Sequence, residues 1–244
     1  ESLSGKVVGF GGRVLDSDRE GIPKYLNSPE SPIYHKGQVL YGLNWAKNAI
    51  RREEVALIVE GYMDLVTLAV AGFENVVATL GTAMTAKQAA VLRRYTTKVC
   101  LLFDSDSAGV KATFRAGDTL LSEGLHPSVV TLPPGEDPDT IVRNEGSTGL
   151  RIHIDQAVDV LDRKLQILDE RDHFSGIEGT RNAIDRLLPT IRATRDSTLR
   201  DIYVAKVAER TGVRRETLEE ELKRAVHRVT PKEPRRPTAP QTNT

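Results

Sequence analysis

The sequence predicts an α/β fold, a mainly parallel sheet with helices on both faces, followed by a helical region. Three observations predict it. Short apolar runs recur at residues 55–59, 76–80, 98–103 and 126–132, and helical spacing fills the intervals, which is the βαβ alternation of a parallel sheet. The runs are continuous rather than alternating, as in strands buried on both faces. After Gly149 the strand-like runs stop and apolar residues recur only every three or four positions.

In chain order, residues 5–15 read as a strand in which Gly9, Gly11 and Gly12 suggest a bulge or a close backbone approach. Residues 16–38 read as turn and loop, punctuated by Gly21, Pro23, Pro29, Pro32 and Gly37. A helix is predicted over 43–52, with Leu43, Ala46, Lys47 and Ile50 at helical spacing. The strand at 55–59 then delivers Glu60 to its carboxyl end, where open α/β sheets place their ligands. Gly61 permits a tight turn or a close ligand approach, and a helix is expected over 64–71. Asp64 falls in its first turn, where the macrodipole favours an acid, so on its own it also reads as an ordinary helix-start residue.

The next strand, 76–80, leads to Gly81-Thr82 and to a helix over 85–94 with Thr85 as N-cap. The strand at 98–103 runs straight into Asp104-Ser105-Asp106-Ser107-Ala108-Gly109. Side chains alternate along an extended chain, so Asp104 and Asp106 are expected to point the same way. A helix over 110–121 follows, and Gly109 near its start reads either as a place for a phosphate to reach backbone amides or as a packing glycine. After the strand at 126–132 comes Glu136-Asp137-Pro138-Asp139, where Pro138 pushes Asp137 towards extended backbone, so that Asp137 and Asp139 share a face. Helices are predicted over 154–170, 179–192, 198–210 and 215–226, and residues 204–222 read as a helix-turn-helix or a simple packed pair. From Thr230 onward, Pro231, Pro234, Pro237 and Pro240 mark a disordered, basic tail.

Three acidic clusters, each following a strand-like run, carry the chemistry. Converging carboxylates repel one another, so they take up protons or gather around a cation. Their oxygens are hard donors with no Cys or His cluster nearby, which favours Mg²⁺ or Mn²⁺ over zinc and points to phosphoryl or nucleotidyl transfer.

Composition sets outer bounds. The 244 residues are 39% apolar and 28% charged, the profile of a soluble globular chain, and no stretch approaches the about 20 apolar residues of a membrane span. The single Cys100 excludes an internal disulfide and a Cys-based zinc site, and its apolar surroundings read as a buried, inert thiol. No Walker-type lysine loop occurs. With no secretory signal and Glu1 in place of Met, a fragment of a cytoplasmic protein is expected. The net charge of zero hides a segregation: residues 1–52 carry eight Lys/Arg against five acids, and residues 53–146 carry seven against thirteen. A basic nucleic-acid track beside an acidic metal site would show that division.

Glu60-Gly61-Tyr62-Met63-Asp64, Leu80-Gly81-Thr82, the Asp104–Gly109 segment and Glu136-Asp137-Pro138-Asp139 resemble the Toprim domain of bacterial DnaG-type DNA primases. Val8-Gly9-Phe10-Gly11-Gly12-Arg13, Pro23-Lys24-Tyr25-Leu26-Asn27-Ser28-Pro29-Glu30, His35-Lys36-Gly37 and Leu40-Tyr41-Gly42 resemble the segment entering that family's catalytic core. Together the motifs cover roughly residues 5 to 145. The resemblance implies four parts: 1–52 as part of an N-terminal core subdomain of α/β type, 53–146 as the Toprim domain, 147–229 as a helical subdomain and 230–244 as a disordered linker.

The activity implied is synthesis of short RNA primers from ribonucleoside triphosphates on a single-stranded DNA template. Glu60, Asp104 and Asp106 would be catalytic and would hold one or two Mg²⁺ or Mn²⁺ ions, with Asp64, Asp137 and Asp139 as outer ligands. Glu60 would also accept the attacking proton. Arg13, Lys24, Tyr25, Asn27, Lys36 and Gly109 would contact template or nucleotide. The family pattern puts zinc in an N-terminal domain and the replicative helicase contact in a C-terminal domain, both expected outside this chain, which is expected to be monomeric. Two other readings stay open: a topoisomerase or nuclease of the same fold, and a catalytically silent adaptor that keeps the sheet as a scaffold.

Overall fold

A strand that is apolar at every position must be covered on both sides, and the covering elements are what place the acids. The structure is a computed structural model describing residues 1–14, 25–80 and 83–224. Strands β1 (Gly11–Arg13) and β2 (Tyr25–Asn27) form a small antiparallel pair. The strand expected over 5–15 therefore shortens to three residues, all of them exposed, because no second layer covers them. After a 3₁₀ turn at Lys36–Gln38 and helix α1 (Leu43–Glu53) the main domain begins.

Its elements are β3 (Val55–Val59), α2 (Tyr62–Val70), β4 (Val76–Ala78), α3 (Ala86–Leu92), β5 (Lys98–Leu101), α4 (Ser107–Ser122) and β6 (His126–Val129). The sheet order is β4-β3-β5-β6, all parallel, as the alternation predicts. Ala56 and Ile58 of β3 face one core with α1, α3 and α4, whereas Leu57 and Val59 face a second core with α2. Cys100 is buried in that second core, and burial raises its thiol to about 11, as expected of an inert cysteine.

The region after β6 departs from the sequence reading. Residues 138–155, to which the sequence reading assigns no helix before residue 154, form α5 (Pro138–Asp155), with Asp137 as N-cap and Pro138 in the first turn. Gly146, at φ 72° and ψ −175°, kinks this helix and breaks the periodicity that would have revealed it. A two-residue strand, β7 (Val158–Asp159), then adds antiparallel to β6, so the helix expected from residue 154 begins at Val160. That strand is too short to carry a period of its own, and only the β6 edge calls it into existence.

Helices α6 (Val160–Glu170), α7 (Gly176–Ala193), α8 (Ser197–Thr211) and α9 (Arg215–Arg224) complete the described chain. Gly212 closes α8 in the left-handed region at φ 70°. Val204 and Val207 of α8 share one core with Leu218 of α9, the arrangement of a packed helical pair. Among the described residues no helix is long and apolar enough to cross a membrane. The tail expected from residue 230 lies outside the described residues.

Candidate active site

The carboxyl ends of β3 and β5 and the start of α5 meet at one edge of the sheet. There a cavity of about 400 Å³ is lined by Glu60, Asp64, Asp104, Asp137 and Asp139 on its acidic side. Arg13, Tyr25, Asn27 and Lys36 from the N-terminal segment line the same cavity. Residues more than a hundred positions apart are thus brought together at one cavity. Lys24, Gly81 and Thr82 lie outside the described residues.

Each acid is held differently. Glu60 follows β3 directly, and its Oε1 is buried with no hydrogen-bond partner. Burial, then the charges of Asp104, Asp64 and Asp106, raises its carboxyl to about 7. Asp64 accepts the Gly61 N–H at 3.1 Å, closing the first turn of α2. A Cβ on Gly61 would stand 2.9 Å from that carboxylate, which is why the turn takes glycine. Burial is also the main reason the Asp64 carboxyl rises to about 6, with Asp104 adding to it. Asp139 accepts the Thr67 hydroxyl at 2.5 Å and pairs with Arg143 at 2.9 Å.

Two expectations about direction need correcting. Asp106 does not point with Asp104 into the cavity: it is the N-cap of α4 and accepts the Gly109 N–H at 2.7 Å. The chain turns into a helix there, so strand alternation ends at the first acid, although Asp106 still adds its charge to the field at Glu60. Asp137 is extended, at φ −122° and ψ 168°, as Pro138 demands, but it caps α5 through the Thr140 N–H and hydroxyl, both at 2.7 Å. Asp139 is already inside that helix, so the two reach one cavity from a helix start rather than from one face of a strand.

Gly109 sits in the first turn of α4 with its amide taken by Asp106. A Cβ there would come within 2.2 Å of the Asp104 carbonyl oxygen, so it is the packing glycine that brings helix and acid loop together.

Sequence reasoning missed the residues that tie the loops. Ser105 Oγ donates to the Glu136 carbonyl at 3.0 Å and accepts the Gly135 N–H at 2.9 Å, clamping the second acidic loop to the third. Thr67, one turn beyond Asp64, ties α2 to α5 through Asp139. The Tyr62 hydroxyl donates to Asn27 Oδ1, and burial pushes that phenol up to about 12. Leu80 lines the cavity at φ 60°, a left-handed conformation for a non-glycine residue of the kind that concentrates at functional sites. Tyr62, Leu80 and Ser105 stand inside motifs that the sequence displays, without a role of their own there, whereas Thr67 carried no signal.

The fit to a divalent cation follows from these features. The donors are hard carboxylate oxygens, and the unpartnered Glu60 Oε1 is the kind of buried acceptor a cation satisfies. Among the described residues no three metal-binding side chains converge closely enough to enclose an ion. Mg²⁺ keeps several waters and shares its shell between one or two carboxylates and phosphate oxygens, so it does not require a closed cage of side chains.

Comparison with known proteins assigns the family. The family described as "Toprim-like" matches residues 57–142, and that of the "DNA primase catalytic core, N-terminal domain" matches residues 1–47. The family described as "DnaB-helicase binding domain of primase" matches residues 173–216, which fall on α7 and α8, inside the chain rather than beyond the tail. A DNA primase of Clostridium acetobutylicum is 40% identical over 215 residues, 88% of this chain and 35% of that protein. The chain thus spans about a third of the curated relatives it matches. Among solved structures, a DNA primase domain from Pseudomonas aeruginosa superposes with a TM-score of 0.81 at 37% identity, covering 91% of this chain and 69% of that one. A DnaG primase catalytic domain bound to single-stranded DNA superposes at 0.75 and 39% identity, covering 86% and 67%. With this fold, this edge of acids and these relatives, the chain belongs to the DnaG-type DNA primase family and carries the Toprim part of its catalytic core.

Proposed function

We propose that this chain is the nucleotidyl-transfer centre of a primase that joins ribonucleoside triphosphates into short RNA primers on a single-stranded DNA template. The observation that carries the reading is the mixed lining of the cavity, where acids from three loops stand together with Arg13, Tyr25, Asn27 and Lys36.

A divalent ion held by these acids would supply Lewis-acid charge to the α-phosphate under attack and to the leaving pyrophosphate. Glu60, Asp64 and Asp104 are the residues whose positions suit that hold, with Asp137 and Asp139 at its margin and Asp106 acting through its charge and its cap on α4. Glu60 Oε1 is also placed to accept a proton, a role secondary to cation binding because a coordinated carboxylate is a poor base. Arg13 and Lys36 line the same cavity as the acids, so a triphosphate bound there would meet both cations. Clamped by Ser105 and Thr67, the acid loops keep their spacing while the substrate changes.

The same reading places the Toprim domain at about residues 53–146, ending at the Gly146 kink. It makes the protein a cytoplasmic, monomeric replication enzyme. The match of α7 and α8 to a helicase-binding family supports a replicative helicase as partner through those helices.

The deciding test is RNA synthesis from ribonucleotides on a single-stranded template with Mg²⁺ or Mn²⁺, using a form extended to the length of the relatives. Primers from the parent and a loss of about a thousandfold in Asp104→Ala are expected, since metal-borne charge stabilisation is worth several kcal/mol. Nicking of DNA without nucleotide incorporation would instead place the chain with the topoisomerases and nucleases of the same fold.

A further inference from the structure

We propose that the aromatic flank of the cavity is a stacking edge for an unpaired DNA strand, with the Trp45 indole as its outer face. This rests on reading the site as one that copies a single-stranded template, and it names a contact which that reading leaves unassigned.

The chain has six tyrosines and one tryptophan, and Tyr25, Tyr34, Tyr41, Tyr62 and Trp45 all stand at this corner, leaving only Tyr95 and Tyr203 elsewhere. Four of the rings form a continuous row. Trp45 meets Tyr41 edge-on at 5.8 Å, Tyr41 meets Tyr62 edge-on at 4.8 Å, and Tyr62 meets Tyr25 at 5.8 Å with an interplanar angle of 33°. The Arg13 guanidinium lies over the Tyr25 ring at 5.8 Å. The inner end of the row, Arg13, Tyr25 and Tyr62, lines the cavity that holds Glu60 and Asp64.

The row is anchored as well as continuous. Tyr41 pairs through its backbone with Ala78, the last residue of edge strand β4, so the middle of the row is fixed to the sheet. The outer end is open: Trp45 is 60% exposed on α1. A lone exposed tryptophan would mean little. One joined through rings to a nucleotide-sized cavity has a direction, and it leads from the acids to solvent.

The occupant follows from what such a row recognises. Aromatic faces stack on any unpaired base, and a guanidinium over a ring adds a cation for the phosphates. A duplex hides its base faces and offers nothing to stack. Among the described residues of the N-terminal segment, Lys6, Arg13, Lys36, Lys47, Arg51 and Arg52 outnumber Glu1 and Glu30, the sign that a phosphate backbone requires.

Trp45 is the sole tryptophan, so its emission reports this edge alone. The experiment titrates the chain with oligodeoxythymidine and, separately, with its duplex, following indole fluorescence, and repeats the binding by anisotropy with Trp45→Ala and Trp45→Phe. Expected are quenching by the single strand and not by the duplex, and roughly tenfold weaker binding for Trp45→Ala, the value of one lost base stack. Trp45→Phe should keep most of the affinity. The salt dependence of binding should stay the same in Trp45→Ala, because no phosphate contact is lost, and an unchanged melting temperature confirms folding. Single-strand binding with unaltered emission and equal affinity in Trp45→Ala would overturn the stacking edge and leave the primase reading standing. No single-strand binding at low salt would overturn both.

Discussion

Two clusters of charge in this chain treat their carboxylates in opposite ways. Between α4, α6 and α7, Asp118 is matched on all sides: Lys164 Nζ lies 3.3 and 3.4 Å from its two oxygens, and the Thr190 hydroxyl donates to it at 2.6 Å. The Lys164 ammonium also lies 5.0 Å from the Phe114 ring centre. At the sheet edge, Glu60 and Asp64 are pushed towards neutrality by burial and by one another's neighbours, and Glu60 Oε1 has no partner. The chain can satisfy a partly buried acid when stability is the aim. That Glu60 Oε1 goes without a partner at the edge marks this carboxylate as held for something that arrives from outside.

Breaking the matched cluster should produce the largest change in stability. Lys164→Ala strands Asp118 and is expected to cost about 3 kcal/mol by urea denaturation, since removing one partner leaves an uncompensated charge. A loss below about 1 kcal/mol would show that the two clusters are not different in kind.

The unpartnered Glu60 predicts the reverse. Glu60→Gln should stabilise the cation-free protein at pH 8 by on the order of 1 kcal/mol, a figure discounted because the group is partly in water, while abolishing nucleotide transfer. The pH dependence has a definite sign. The folded carboxyls hold protons up to about 7 at Glu60 and about 6 at Asp64, whereas the unfolded chain releases them near 4.5 and 3.8. The folded state therefore binds more protons in that window, and these two groups make stability fall as pH rises through it. Below about pH 4 the benefit of Glu60→Gln should vanish. Added Mg²⁺ should raise the parent's melting temperature more at pH 8 than at pH 5.5, and Glu60→Gln should reduce that difference. Equal shifts at both pH values would argue against a cation among these acids.

Ser105 sharpens the comparison, because it holds the acidic loops in place without touching their charge. Ser105→Ala should cost about 1 kcal/mol in thermal unfolding, and in the extended enzyme it should raise the Mg²⁺ concentration needed for half-maximal synthesis. The smallest effect is expected for Arg143→Ala. Its pair with Asp139 lies on a side chain 68% exposed, so a change within about 0.5 kcal/mol is expected by calorimetry.

Much of this was legible in the residues themselves. Continuous apolar runs at β3, β4, β5 and β6 specify a doubly covered parallel sheet, because no other environment accepts them. The acid after β3 and the acid after β5 had to lie at carboxyl ends, so Glu60 and Asp104 were placed by period and order alone. Thr85 declared itself as a cap, and its hydroxyl accepts the Gln88 N–H at 3.1 Å. Other features became definite only with the chain packed. Asp106 turned from the cavity to cap α4 because the choice between strand and helix after Asp104 depends on the Gly109 contact with the Asp104 carbonyl. α5 and β7 escaped detection because Gly146 interrupts one and the other exists only as a partner for β6. Above all, the row from Trp45 to Tyr25 joins residues from separate segments through ring contacts, and the Ser105 clamp joins two loops through one hydroxyl. Local sequence determines which backbone each segment prefers, since propensity and period act over a few residues. Which side chains meet across segments is decided by packing, which no window of sequence contains.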